Sequence, residues 1–162
     1  MSRPRHAGFT LMEVAIVLAV AAILLAVAVP NYQRMQERQR MRLAAESLQR
    51  DFQLAHSQSS KVGPVFFNFK HEGQAWCWGA NSTTPCNCLK ERCNVISQRS
   101  QDWPGVWMVY SSDAQFEAGL GRAVEHGPTE FSTKHGGQVR VQLNALGRAS
   151  LCGKDAPKSA PC

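Results

Sequence analysis

The sequence lacks the short motifs that mark most catalytic centres. Among its 162 residues there is no nucleophile motif, no phosphate-binding loop and no metal-hydrolase signature. Five histidines are present, and His126 and His135 lie near the acids Glu125 and Glu130, but neighbours in sequence do not by themselves make a site. We therefore expect a protein that is not an enzyme and that binds no cofactor.

The cysteines lack the paired C-x-x-C spacing that usually holds a zinc ion. Their even number, behind a membrane-targeting segment, indicates disulfides in an oxidising compartment and no metal site. The six are Cys77, Cys86, Cys88, Cys93, Cys152 and Cys162. Cys86 and Cys88 are too close to bond easily to each other, so each is expected to pair with Cys77 or Cys93. The last two cysteines would then close the C-terminal loop.

Charge is almost absent from a long stretch near the N-terminus. From Phe9 to Val29 there are twenty-one residues and one charge, Glu13. At about 1.5 Å per residue, a helix of this length is about long enough to cross the core of a bilayer. An ionised carboxylate within it costs roughly 2.5 kcal/mol or more. A plain membrane anchor therefore has no reason to keep Glu13.

Basic residues precede this apolar run. Arg3, Arg5 and His6 lie there with no acid before Glu13, so the positive-inside rule predicts a cytoplasmic N-terminus and places the rest of the chain across the membrane. A secretory signal peptide is one interpretation, since residues 26–28 offer an A-x-A cleavage site. A generic signal anchor is a second. Neither explains the buried acid.

The segment 8–13, Gly-Phe-Thr-Leu-Met-Glu, resembles the leader junction of type IV pilins and type II secretion pseudopilins. Gly8 matches the residue before the cleavage site, and Glu13 is the fifth residue of the mature chain. Pro30 resembles the proline that kinks the pilin helix. The resemblance implies that a prepilin peptidase removes residues 1–8 and methylates the new N-terminus of Phe9.

A physical role for Glu13 follows from this cleavage. Removing the leader leaves the apolar run attached and creates an α-amino group on Phe9, one helical turn from Glu13. In a filament, Glu13 of one subunit would pair with the Phe9 amine of its neighbour. Two charges that are each costly in hydrocarbon become tolerable together.

The next segment, residues 30–61, is expected to extend the helix. Pro30 predicts a kink or break, and residues 31–60 contain no glycine or proline. Apolar residues recur there at spacings of three and four and form one helical face: Met41, Ala44, Ala45, Leu48, Phe52 and Ala55. Interleaved arginines predict a solvated opposite face, with inner-membrane lipid phosphates as the alternative contact.

Residues 62–162 are predicted to form a β-rich domain. Gly63-Pro64 ends the helix. Strands are expected at 65–69, 75–78, 106–110, 139–143 and 148–152, with weaker ones near Phe116 and Phe131. The loop from 79 to 103 is poor in core residues and needs disulfide staples. The predicted class is α+β, with a long N-terminal helix packed on an antiparallel β domain, which is the organisation that pilins share.

Within the pilins the chain most resembles the GspH/FimT/FimU branch of H-type pseudopilins and minor pilins. The segments that carry this resemblance are 76–79, 86–88, 103–106 and 144–152. It implies a minor pilin of a type IV pilus that acts in pilus biogenesis or at the tip. The alternative is the H-type pseudopilin of a type II secretion system. The implied partners are the prepilin peptidase and other pilins or pseudopilins, and the implied location is the inner membrane with a periplasmic domain.

Some FimT-like minor pilins bind DNA through a Gly-Arg-x-Arg element. The matching positions here are Gly147-Arg148-Ala149-Ser150, in which a serine replaces the second arginine. Arg140 would supply a compensating charge if its strand pairs beside Arg148. Arg140, Arg148 and Lys154 would then form a small basic patch. The net charge is +6, or +4 once Arg3 and Arg5 are removed with the leader. This excess predicts a solvated basic surface, with an anionic partner as the alternative.

Overall fold

One helix, α1, occupies Leu11–Lys61. It is seen in a computed structural model that describes residues 10–124 and 126–156. The predicted leader, the predicted methylation site Phe9, Glu125 and Cys162 lie outside the described residues. The chain divides into two units, Met1–Gln36 and Glu37–Cys162.

The first unit contains the apolar part of α1. Thr10 precedes the helix, and its hydroxyl oxygen accepts a hydrogen bond from the Glu13 amide at 3.2 Å. This is the N-cap contact that satisfies a free amide of the first turn. The helix continues through Pro30, which agrees with the prediction of one long helix and excludes the break that was one of the two alternatives, a kink or a break, expected there. Proline removes one backbone hydrogen bond, and the turns on both sides keep theirs.

The second unit begins with the amphipathic part of α1. Its buried side chains are those that the helical spacing predicts, with two small polar ones added: Met41, Ala44, Ala45, Ser47, Leu48, Phe52, Ala55 and Ser59. These residues belong to the same core as the strands that follow. The alanines bring the helix backbone close to the strands, and Phe52 fills the wider space, with its ring centroid 4.5 Å from that of Phe67.

Within residues 10–124 and 126–156, nine strands form two antiparallel sheets. The first sheet has the order β3-β2-β1-β5-β6, with β1 at Val65–Glu72, β2 at Ala75–Asn81, β3 at Ile96–Arg99, β5 at Ala114–Phe116 and β6 at Ala123–Val124. The second has the order β4-β7-β8-β9, with β4 at Val106–Tyr110, β7 at Pro128–Thr133, β8 at Gln138–Leu143 and β9 at Ala149–Cys152. A short 3₁₀ helix, Ser100–Asp102, precedes β4. The predicted α+β fold is confirmed.

Aromatic side chains join the two sheets. Trp76 and Trp78 of β2 are two residues apart and therefore lie on the same face of the strand, where they stack with their ring centroids 5.6 Å apart. Phe131 of β7 lies 5.7 Å from Trp76 and 5.9 Å from Trp78. The Trp76 indole N–H donates to the Val106 carbonyl at 3.2 Å. The sheets and α1 therefore share one hydrophobic core.

Two crossed disulfides hold the loop between β2 and β3. They join Cys77 to Cys88 and Cys86 to Cys93, across eleven and seven residues. Each is worth about 2–3 kcal/mol on the loop-entropy account. Gly79 lies against them, because a Cβ there would collide with Cys93 Sγ. Cys152 is also disulfide-bonded, while its predicted partner lies outside the described residues.

The same loop contains a strand that the sequence pattern did not predict. β3 pairs with β2 along Cys77–Ala80, and Ile96 is buried. The strand has no alternating hydrophobic pattern because Ser97, Gln98 and Arg99 are polar, which is tolerated at the edge of the sheet. The loop is thus shorter, and better anchored, than its composition suggests.

Asp51 of α1 is a half-buried acid whose charge affects the stability of the fold. The Trp78 indole N–H donates to Asp51 Oδ2 at 2.7 Å. Burial raises the pKa of Asp51, against the lowering effects of that hydrogen bond and of Arg50. A raised folded-state pKa means that protonation favours folding, so the contribution is fully present below the unfolded pKa of about 4 and is lost as the pH rises through the folded pKa.

Asp51→Asn keeps an oxygen acceptor for Trp78 and removes the charge. We expect it to be at least as stable as the wild type at pH 7, with the difference shrinking at pH 3. Asp51→Leu leaves the indole N–H unpaired and should cost about 1–3 kcal/mol. Thermal unfolding of the detergent-solubilised chain at both pH values measures this. A less stable Asn variant at pH 7 would contradict it.

Candidate functional site

The N-terminal turn of α1 presents an acid on an apolar surface. Residues 11–20 are exposed throughout, and Glu13 lies beside Val14, Val17 and Leu18. Thr10 and Glu13 also have the T-x-x-E spacing of a helix capping box, and one of its two contacts is present. Glu13 thus lies in the first turn of a helix whose apolar side chains need a hydrophobic environment or neighbouring helices to cover them. That spacing is the signal that could have identified Thr10 from the sequence.

Comparison with known proteins bears on this same segment. Residues 3–29 match the protein-family model described as the prokaryotic N-terminal methylation motif. The chain carries a prepilin-type N-terminus. The motif indicates a type IV pilin-like or pseudopilin-like protein, and it implies processing by a prepilin peptidase and assembly with other pilins. Searches of curated proteins and of solved structures found no match.

The described part of this prepilin-type chain contains one helix that is long and apolar enough to cross a membrane. Together with the motif, it fits a protein anchored in the membrane by a single span. Gly8 and Phe9, the residues predicted for cleavage and methylation, precede the described residues.

The structure does not bring the predicted DNA-contacting residues together. β8 and β9 do pair, but Arg140 lies opposite Cys152, whereas Arg148 lies beside Asn144 at the other end of the hairpin. Four residues of strand separate the two positions, which is about 13 Å. Lys154 follows β9, at the Arg140 end. The register of the hairpin thus separates Arg148 from Arg140 and Lys154, and contact of these residues with DNA stays a prediction.

Arg140 is also neutralised locally. Its Nη2 and Nε donate to Glu130 Oε2 at 2.8 and 3.2 Å. The two residues are direct neighbours on β7 and β8. Hydrogen bonds from Arg140, and then from Gln138, hold the pKa of the Glu130 carboxyl below its usual range. Arg140 therefore contributes an ion pair rather than an open cation.

Arg148 has a different neighbour that sequence reasoning missed. Its turn is held by Asn144, whose Oδ1 accepts from the amides of Leu146 and Arg148, both at 3.0 Å. The Ala123 amide donates to the Ala145 carbonyl at 3.1 Å, so the segment after Arg122 runs alongside this turn. Arg122 and Arg148 are both exposed.

These two segments contain the same tripeptide, Leu-Gly-Arg, at 120–122 and 146–148. We call them the paired Leu-Gly-Arg turns. Both glycines have positive φ, and a Cβ on Gly147 would collide with the Gly121 carbonyl and with His56. The repeated tripeptide is the signal that could have identified Arg122. Beside the turns lies an open groove of about 540 Å³, lined by Gln53, His56, Leu146, Gly147, Arg148 and Ala149.

The contribution of Glu13 to assembly can be separated from its place in the first helical turn. Glu13→Gln keeps the shape of the side chain and removes its charge. Because the charge would pair with the Phe9 amine of a neighbour, we expect normal leader cleavage and a several-fold loss from sheared filaments, measured by immunoblot.

Thr10→Ala is the control, since it removes the cap at a cost of about 1 kcal/mol and leaves the charge. It should be incorporated better than Glu13→Gln. Wild-type levels of Glu13→Gln in the filament fraction would refute the pairing.

Proposed function

We propose that this protein is a minor pilin of a type IV pilus, similar to the FimT/FimU group, that acts non-enzymatically in pilus biogenesis or at the pilus tip. The prepilin-type N-terminus and the membrane-spanning helix support the general class. In this proposal the domain is periplasmic before assembly, after which the helix enters the filament.

The observation that carries the finer proposal is the way in which the segments resembling the GspH/FimT/FimU branch interlock. Trp76 of the first segment donates to Val106 of the third at 3.2 Å. Cys77 is bonded to Cys88 of the second. Because these segments are distant in sequence but contact one another in the fold, their joint resemblance to the branch favours a shared structure over chance similarity.

The fourth segment, residues 144–152, is supported by its role in the fold. It supplies the Asn144 turn and strand β9, which closes one edge of the second sheet. Gln49 of α1 donates to the Ala149 carbonyl at 2.8 Å and fixes this strand to the helix. The H-type pseudopilin of a type II secretion system would use the same framework, so it is the alternative.

Deleting the gene distinguishes the two. For a minor pilin we expect most surface pili to be lost, type II secretion to continue, and the mature chain to occur in sheared pili at a small fraction of the major subunit. Wild-type protein should restore the pili, and Glu13→Gln should not. Electron microscopy and assays of secreted proteins measure these effects. Normal piliation with secreted proteins retained in the periplasm would instead identify the pseudopilin.

DNA binding is a second candidate, supported by the exposed Arg122 and Arg148 on the paired Leu-Gly-Arg turns. A third cation, Lys61, is the last residue of α1. The Gly119 amide donates to the carbonyl of Ser59, two residues before Lys61, at 3.1 Å, so the end of the helix lies beside the first Leu-Gly-Arg turn. Phosphate contacts of this kind depend on the number of cations and weaken as salt increases.

A gel shift with the detergent-solubilised chain tests this candidate. We expect binding at low salt that Arg122→Ala/Arg148→Ala weakens by about tenfold or more, since each lost cation reduces the salt-dependent affinity. Arg140→Ala is the control, because its guanidinium already pairs with Glu130. Equal weakening by the control, or no salt-sensitive binding, would reject DNA as the ligand at the paired turns.

A further inference from the structure

Five cations of the second unit collect near the start of its helix. Arg38, Arg40 and Arg42 are exposed on α1, Lys134 lies in the turn between β7 and β8, and Lys154 follows β9. We call these five residues the cationic collar. They come from three segments of the sequence, so their proximity is produced by the fold and not by a simple run of charge.

Two contacts join the β7–β8 turn, which contains Lys134, to the part of α1 that contains Arg38. His135 Nδ1 lies 2.7 Å from Glu37 Oε2, which joins this turn to α1. A Cβ on Gly137 would lie 3.4 Å from Arg38 Cγ, so the stem of Arg38 crosses the base of the turn. Arg38 and Lys134 therefore project from adjoining parts of the surface.

The C-terminal segment is fixed to the same end. Arg42 Nε donates to the Asp155 carbonyl oxygen at 2.6 Å. The Asp155 carboxylate accepts from the Gln138 amide at 3.0 Å, next to the β7–β8 turn. Lys154 is thus held beside that turn. Arg40 Nη1 donates to the Pro104 carbonyl at 3.4 Å, which fixes this cation to the segment before β4.

Three acids near the collar offset part of its charge. Glu37 contacts His135, Asp155 accepts from the Gln138 amide, and Asp102 Oδ2 accepts from the Arg99 amide. Among the described residues, neither Arg38 nor Lys134 has an ion-pair partner. Five cations against these three acids leave an excess of positive charge on this surface.

We propose that the cationic collar binds the anionic phospholipid surface of the bilayer that holds the N-terminal segment. Arg38 follows Val29, the end of the apolar run, by only nine positions. Even a fully extended chain of that length spans at most about 32 Å. This short tether keeps the collar within reach of the lipid surface, where phosphates attract Lys and Arg once they approach within a Debye length of about 8–10 Å.

The positive charge of the collar and its short connection to the membrane anchor together identify the surface that it binds. A bilayer is the one anionic surface that the anchored chain always has within reach, whereas DNA must arrive by diffusion. Binding would hold the second unit at the membrane before assembly, and entry into a filament would release it. This inference depends on the membrane-anchored state and not on which filament the chain joins.

The test uses the full chain in nanodiscs of phosphatidylcholine alone or mixed equally with phosphatidylglycerol. Amide hydrogen exchange is measured for residues 133–137 by mass spectrometry. We expect exchange to slow several-fold with phosphatidylglycerol and to recover in about 1 M NaCl, where the Debye length is about 3 Å. Residues 117–121, which neither triple variant below changes, serve as the internal reference.

Two triple variants with the same change in charge provide the comparison. Arg38→Gln/Lys134→Gln/Lys154→Gln should lose the lipid effect, and Lys61→Gln/Arg122→Gln/Arg148→Gln should retain it. Unchanged exchange of β1 and β2 verifies folding in both. The proposal is overturned if wild-type exchange is the same in both lipids, or if the first variant retains the effect. It is also overturned if inorganic phosphate reproduces the effect in phosphatidylcholine nanodiscs, which would indicate a free-anion site.

Discussion

Packing of one helical stripe against two sheets is the interaction on which the second unit depends. Along this stripe, Ala44 and Ala45 let the strands approach the backbone of α1, and Leu48 and Phe52 fill the space beyond them. Each large apolar side chain buried in this way contributes about 1.5–3 kcal/mol. Neither sheet buries its inner face without the helix, because the core residues of both belong to one cluster with those of α1.

The disulfides extend that core to a region that cannot build one of its own. The four cysteines of the crossed pairs form a separate buried cluster in which Leu89 is the hydrophobic neighbour. Arg99 Nε donates to the Cys88 carbonyl at 2.9 Å and ties the loop to β3. The covalent links thus fix a polar loop at the edge of the first sheet, and the edge strand β3 covers part of β2.

Periodicity predicted the features that depend on one element alone. The buried stripe of α1, the alternation along β8 and the return strand β9 all follow from which face of an element is apolar. The choice between two disulfide pairings did not follow, because both give short loops of similar entropy. β3 was missed because only Ile96 of its four residues is buried. The helix continues through Pro30, without the break that was one alternative there, because a proline's local cost does not outweigh a long helical pattern.

The candidate site was harder to predict because charges act through neighbours that are distant in sequence. Arg140 and Arg148 are equivalent cations in the sequence, and the fold separates them. Arg140 meets Glu130 across the strand pair, whereas Arg148 lies in a turn beside a second Leu-Gly-Arg segment. An arginine opposite an acid loses most of its external field, so counting cations along a strand overestimates its attraction for phosphate. The exposed cations instead form two groups drawn from separate segments, the cationic collar and the paired Leu-Gly-Arg turns. The register of β8 with its neighbours decides which cations belong to each group.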